Sequence, residues 1–458
     1  MTPINTAIFK AYDIRGVVPG EIDEEIAERV GRAMVIHTHA TSVLVGRDMR
    51  TSSPALAGAV IRGVRAQGAE AIDIGLCSTP MFNFAVASTF GQVTGPDARV
   101  GAGVMVSASH NPAKYNGFKL DYGDVLPVSA VTGMREIQQL VEHGQFPNSA
   151  RGGVRTTSVL DAYLARVTSI VNPETLPPFR MVVDCGNGMG GHTMPHLAPL
   201  IPGEVVRMFW ELDGTFPNHE PNPIKPENVR DLITAVRDAK AHVGFAYDGD
   251  ADRLGVVDER GELVRGDLLT VLLAREILRQ HPGATILYDL RASRIVAEEV
   301  RRAGGVPQPT RVGHALIKKH FREAGAAFAG ELSSHFYFKD FYGVECTELA
   351  MLMVLKVMGA VRKPISELMR PLQRYHHSGE INFEVEEKDA VLQHLEERFT
   401  KQAKSVSRLD GLSFDMGPWW FNVRPSNTEP LLRLVVETPT QKETESRVAE
   451  LAAAIEGR

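Results

Sequence analysis

The chain of 458 residues is poor in several things, and each shortage excludes something. It has three cysteines, Cys77, Cys185 and Cys346, far apart and odd in number, with no CxxC and no His/Cys ligand spacing. That excludes a disulfide framework and a zinc module, and the expectation is reduced core thiols in a cytoplasmic protein. It has no basic surplus; a formal net charge of −6 argues against a general nucleic-acid binder. An anionic ligand would therefore need a locally positive cleft. No apolar run is long enough for a bilayer: the richest, Leu349 to Val361, contains Lys356 and reads as a buried helix, so no membrane partner is expected. The N-terminal stretch MTPINTAIFKAYDIRG has no apolar h-region, so no signal peptide is expected. A hydrophobic fraction of 43% and a charged fraction of 23% are ordinary for globular chains, and the length suits about three domains.

The most telling segment is YDGDADR, Tyr247 to Arg253. Asp248, Asp250 and Asp252 stand at every second position, so in an extended or looped backbone they point to one side and repel. A hard divalent cation is the usual neutraliser of such a set. The segment also resembles the start of a calcium EF-hand loop, with Glu259 at its twelfth position. That reading has two defects: Arg253 stands where the loop needs glycine, and the flanks VGFAY and LGVVD read as strands rather than helices.

The first three-quarters of the chain repeats one theme, a short apolar strand, a polar or glycine turn, then a helical pattern. VLVG (43–46), GVMVSA (103–108), MVVDC (181–185), VGFAYD (243–248), TILYDL (285–290) and AAFAGE (326–331) are the predicted strands. Such alternation implies α/β units, whose ligands sit beyond the carboxyl ends of the strands. Breaks at 146–153, near Glu259 and at 371–378 divide the chain into predicted units 1–152, 153–258, 259–372 and 373–458. The last is α+β in pattern. The stretch 213–229, with four prolines, reads as an ordered loop.

Three further motifs carry chemistry. In GVMVSASHNP (103–112) a strand runs into Ser107 and Ser109 beside His110; either serine qualifies as an activated nucleophile, and a self-satisfied serine turn is the alternative. No GxSxG surrounds it, so it is not a hydrolase elbow. RPSNTEP (424–430) offers an arginine fork with Ser426, Asn427 and Thr428, suited to an anion; a capped turn with a paired arginine is the alternative. In GELSSHFYF (330–338), Glu331, Ser333 and His335 alternate, fit for sugar hydroxyls or proton movement, with a satisfied structural histidine as the alternative. GNGMGG (186–191) matches a dinucleotide fingerprint, but the following stretch 192–203 carries three prolines and predicts a poor helix, which disfavours a nicotinamide-dependent oxidoreductase.

Together, from AYDIRG (11–16) to RPSNTEP, these motifs resemble the α-D-phosphohexomutase family, its bacterial phosphomannomutase/phosphoglucomutase branch in particular. The resemblance implies three related α/β mixed-sheet domains and a C-terminal α+β domain around a central cleft. It implies Ser109 as a phosphoserine, with a phosphoserine oxygen, Asp248, Asp250 and Asp252 holding Mg²⁺. It places Arg15, His110, Lys119, Arg253 and His335 in the catalytic cleft. Tyr12, Arg291, His314, Glu331, Ser333, Arg424, Ser426, Asn427 and Thr428 become substrate contacts. The implied reaction interconverts hexose 6-phosphate and hexose 1-phosphate, mannose and/or glucose, through a hexose 1,6-bisphosphate. Three departures stand out: Ser334 where the family often has glycine, Arg291 where a lysine is common, and Val312 where threonine is frequent. GELSSH lacks the glutamine usual in phosphoglucosamine mutases and NGFK (116–119) has phenylalanine for their isoleucine, which favours the mannose/glucose branch over that alternative. A calcium- or sugar-phosphate-binding module without catalysis is the non-enzyme reading.

Overall fold

The computed structural model describes residues 4–90, 101–426 and 431–457. Four sheets follow one another along the chain. The first runs, in spatial order, Ile14–Val17, Tyr115–Tyr122, Gly101–Val106, Ser42–Arg47, Glu70–Leu76 and Val154–Thr156. The second runs Leu263–Val264, Leu254–Asp258, Val243–Tyr247, Phe179–Asp184 and Gly203–Met208. The third runs Val306–Thr310, Thr285–Asp289, Phe328–Gly330, Phe336–Phe338 and Val344–Glu345.

Each of these three sheets contains the same four-strand unit. Two strands pair in parallel, a third joins them in parallel, and the chain then turns back as an antiparallel fourth. Helices connect the parallel strands, as the crossover requires. The turn into the antiparallel strand lies at the carboxyl end of a buried strand in every case, and it holds Ser109, then the aspartate trio, then Glu331 to His335. The fourth sheet is antiparallel throughout, and its hairpin between Trp420–Pro425 and Leu431–Thr438 starts the RPSNTEP segment at the same relative place. Asn427 and Thr428 lie outside the described residues.

Two short strands move the sequence-derived boundaries. Val154–Thr156 pairs with Glu70–Leu76, so the start of the predicted second unit belongs to the first sheet. Leu263–Val264 pairs with Leu254–Asp258, so 259–264 stays with the second sheet rather than the third. The glycine run 186–191 leads into a short helix, Gly190–Leu197, which has no side-chain cap and carries Pro195 inside it. Its glycines serve packing: a Cβ on Gly188 would lie 2.8 Å from the Gly249 carbonyl oxygen, and one on Gly190 would lie 2.9 Å from the Tyr247 ring.

One continuous apolar cluster threads all three α/β domains, from Phe82 and Met105 through Phe245 to Phe328 and Leu352. The helix Thr347–Val361 sits inside it, apolar nearly all round because it is buried nearly all round. The fourth domain has a separate core around Phe399, Phe414, Phe421 and Leu434. The three cysteines are buried and unpaired, and burial pushes their thiols up, which keeps them inert. Among the described residues no helix is long and apolar enough to cross a membrane.

Candidate active site

Ser109 and the aspartate trio meet between the first and second domains. Ser109 is 4% exposed and holds a left-handed backbone, φ +50°, strained for a residue with a Cβ. Its Oγ donates to Asp248 Oδ2 at 3.0 Å and lies 3.1 Å from His110 Nδ1. Ser107 Oγ accepts from the Ser109 N–H at 3.0 Å, which supports the turn, and lies 3.5 Å from Asp250 Oδ2. Gly249 lets the two loops touch, since a Cβ there would come within 2.4 Å of the Ser109 carbonyl oxygen. Ala251 is left-handed as well, φ +59°, with its carbonyl held by the Thr347 hydroxyl at 2.7 Å.

The three aspartates are buried, and one oxygen from each lies within 4.8 Å of the others. Lys119 Nζ answers part of their charge, donating to Asp250 Oδ2 at 2.6 Å and Asp252 Oδ2 at 2.7 Å. Thr79 also donates to Asp250 Oδ2, at 2.6 Å. Asp250 Oδ1 is buried with no partner among the described residues. Burial raises all three carboxyls. Asp248, facing its two like-charged neighbours, stays well above the usual range, whereas Lys119 pulls Asp250 and Asp252 below it. Burial alone would neutralise Lys119, but Asp250 and Asp252 outweigh it and raise the ammonium.

The sugar-loop segment packs on the same trio. His335 Nε2 lies 3.2 Å from Asp252 Oδ1 and its Nδ1 3.1 Å from Glu331 Oε1. Burial works against its charge, yet Glu331 and Asp252 raise His335 to about 10. A doubly protonated ring cannot accept, so the 3.3 Å approach of Arg253 Nε to His335 Nε2 is proximity rather than a hydrogen bond. Glu331, opposed by burial but held by His335, the Tyr337 hydroxyl and Arg291, falls to about 2. Ser333 Oγ donates to Glu331 Oε2 at 3.0 Å. Ser334, in the place where glycine is frequent, is left-handed at φ +67° and only 3% exposed. His110 and His314 are driven well below their usual value by burial first, then by Arg253 and Arg15 for His110 and by Lys119 and Lys318 for His314. The cleft thus holds two cationic and two neutral nitrogen bases, a division suited to separate acid and base roles.

Arg15 bridges Asp13 and Asn111 Oδ1, and Tyr12 donates to the Val312 carbonyl at 3.0 Å, stitching the first domain to the third beside His314. Arg291 grips Asp289 with two bonds and lies 3.9 Å from Glu331. Arg424, 2% exposed at the end of its strand, pairs with Glu380 at 2.7 Å. The Ser426 N–H donates to the Leu431 carbonyl at 2.8 Å and starts the hairpin turn.

Three residues that sequence reasoning passed over belong here. Arg50 is fully buried, and its guanidinium donates to four carbonyls of the serine loop: Ser109 (2.8 Å), Asn111 (2.6 Å), Pro112 (2.9 Å) and Tyr115 (2.8 Å). Asp48 answers its charge at 3.3 Å, and the Phe216 ring from the proline-rich loop lies 5.0 Å beneath it. Thr79 and Glu380 are the others. Arg50 had a signal, since RDMRTSS follows a predicted strand end just as the other motifs do. Glu380 had none.

Comparison with known proteins matches four domains in order. Residues 6–148, 161–261 and 265–375 match the phosphoglucomutase/phosphomannomutase alpha/beta/alpha domains I, II and III, and 380–454 match the C-terminal domain. The chain is 39% identical over 436 residues to phosphohexose mutases of Xanthomonas campestris pv. campestris, covering 94% of each chain. It is 38% identical over 443 residues to the phosphomannomutase of Salmonella montevideo, covering 95% of each. The crystal structure of a phosphoglucomutase/phosphomannomutase family protein from Burkholderia thailandensis superposes with a TM-score of 0.90 at 32% identity, over 99% of this chain and 98% of that one.

Proposed function

The chain belongs to the phosphoglucomutase/phosphomannomutase family and is a mutase enzyme, and from that premise we propose that it interconverts hexose 6-phosphate and hexose 1-phosphate through a phosphorylated Ser109. The observation that carries this reading is the placement of Ser109 Oγ 3.0 Å from Asp248, against a buried acidic trio that Lys119 and His335 contact, with Arg253 beside His335.

Phosphoryl transfer asks for alignment and charge stabilisation. A phosphoserine donates its phosphoryl group to a hexose phosphate; the O–P bond at Ser109 breaks and one to the sugar hydroxyl forms. The hydroxyl loses its proton and Ser109 Oγ regains one, with His110 Nδ1, 3.1 Å from Oγ, within reach of that exchange. Lys119 and Arg253 face the charge spread over the transferring group. The resulting hexose 1,6-bisphosphate turns round in the cleft and returns its other phosphoryl group to Ser109. Glu331 and Ser333 accept from and donate to the sugar hydroxyls, and Arg424 with Ser426, Asn427 and Thr428 clamps the phosphate that is not being transferred.

The trio fits a hard cation: its oxygens converge, Asp250 Oδ1 lacks a partner among the described residues and a hydroxyl oxygen stands beside Asp248. Asp248, Asp250, Asp252 and Ser109 would hold Mg²⁺. When bound, Mg²⁺ withdraws charge from the phosphoserine and makes the serine a better leaving group.

Ser109→Ala tests the reading. It should stay folded and lose nearly all turnover, and intact mass should find one phosphoryl group on the wild-type protein and none on the variant. Full activity in the variant overturns it. Mannose 1-phosphate, glucose 1-phosphate and glucosamine 1-phosphate assayed side by side decide the sugar, and mannose or glucose is expected to win.

A further inference from the structure

Arg424 and Arg433 are direct cross-strand partners in the hairpin that carries the clamp. Like charges placed opposite one another in an antiparallel pair destabilise it unless an anion stands between them. Glu380 is that anion. One of its oxygens, Oε2, lies 2.7 Å from Arg424 Nη2, and the other, Oε1, lies 2.9 Å from Arg433 Nη1. Arg291 of the third domain reaches Oε2 at 3.4 Å. Three guanidinium groups from two domains therefore converge on one carboxylate, which stands where the chain crosses from the third domain to the fourth, next to the left-handed Gly379.

Glu380 is the acid shared by Arg424 and Arg433, whereas Arg291 is also gripped by Asp289, with Glu331 3.9 Å away. Arg424 keeps a donor in reserve, for its Nε is buried with no acceptor among the described residues. A turning bisphosphate must be gripped and then released, and a clamp whose Arg424 and Arg433 lacked Glu380 would release slowly.

Resting on the mutase reading above, we propose that Glu380 is a positioning residue that acts as an internal stand-in for phosphate. It holds Arg424 and Arg433 together when the clamp is empty and competes for Arg424 when it is full, so that the phosphate's grip stays weak enough for the intermediate to reorient. Arg433 keeps Glu380 while Arg424 turns to the phosphate.

The test uses the full chain, with inorganic phosphate as the probe in calorimetry and a hexose 1-phosphate in kinetics. In Glu380→Gln, phosphate should bind about tenfold tighter, KM should fall, and kcat should fall with it because reorientation slows. Glu380→Asp should restore both toward wild type. The tightening should vanish in an Arg424→Ala background, which ties it to this clamp rather than to the Ser109 end. Unchanged or weaker phosphate binding in a folded Glu380→Gln, with a raised KM, overturns the proposal. If the single variant fails to fold, Glu380→Gln combined with Arg433→Gln restores the charge count. That pair should fold and bind phosphate within about threefold of wild type, and a loss beyond tenfold overturns the idea. The calorimetric arm needs no turnover, so a failure of the mutase reading would show separately, as absent activity on every hexose phosphate with the phosphate binding intact.

Discussion

The three α/β domains and the fourth domain are held by different forces. One apolar cluster runs through all three of the first domains beside the smaller clusters each keeps of its own, so the serine loop, the aspartate trio and the sugar loop ride on one body. The fourth has its own core and meets the third through polar contacts: Arg294 with the Gly417 carbonyl (2.9 Å) and Glu437, the Val312 N–H with Asp410 (3.0 Å), and Glu380 with Arg291. Packed cores are rigid, whereas polar domain contacts exchange readily with water and ligands. The reacting end is therefore fixed in place, and the clamping end is free to adjust. On this reading the fourth domain closes on substrate, and small-angle scattering should show compaction on adding a hexose phosphate, with no change counting against closure.

The hardest blow to the fixed end is Asp250→Ala. It removes a carboxylate bonded to Lys119 and Thr79 and leaves the Lys119 ammonium buried with one of its two carboxylate partners. Turnover should fall by about 10³-fold or more, and the Mg²⁺ concentration for half-maximal activity should rise. A variant with near-normal turnover would detach the trio from the chemistry.

Arg50→Met attacks the same end from behind. Four carbonyls lose their donor and Asp48 is left buried and uncompensated, so stability should drop by about 3–5 kcal/mol in denaturant titrations. Arg50→Lys should recover part of the stability but little activity, because one ammonium cannot serve four carbonyls spread along the loop. Equal activity in the two would sink the positioning role.

Arg424→Ala strikes the adjustable end and should split the kinetics differently, raising KM by about 10–100-fold with a smaller loss in kcat. If kcat falls as far as in Asp250→Ala, the contrast between the two ends fails.

The smallest effect is a pH dependence where the first domain meets the third. Asp121, buried with Lys318 and Glu345 nearby, is raised by burial to about 6, despite Lys318. The Asn83 amide lies between Asp121 and Lys318. A carboxyl raised when folded stabilises the protein below its unfolded value of 3.8 and loses that contribution as pH rises to about 6. Relative to wild type, Asp121→Asn should therefore gain up to about 3 kcal/mol between pH 4 and 7. A constant difference across that range would remove Asp121 from the account.

The contrast also sets what a reader of the sequence can see. Ser109, His110 and the three aspartates are legible because each group sits within a few residues of its partners in the motif, on a turn after an apolar strand. Arg50, Thr79 and Glu380 act across separations of 59, 171 and 44 residues, on Ser109, Asp250 and Arg424 in turn. No local pattern encodes such pairs. The unit edges slipped for a related reason: Val154–Thr156 and Leu263–Val264 are too short to show an alternation, and their pairing is set by the neighbouring strand.

Arg50 grips its loop through main-chain oxygens, and the side chains at 113 and 114 take no part in that grip. Loop path and loop chemistry are therefore separable. An engineer could change Ala113 or Lys114 while the path of the loop that carries the reactive hydroxyl stays as it is.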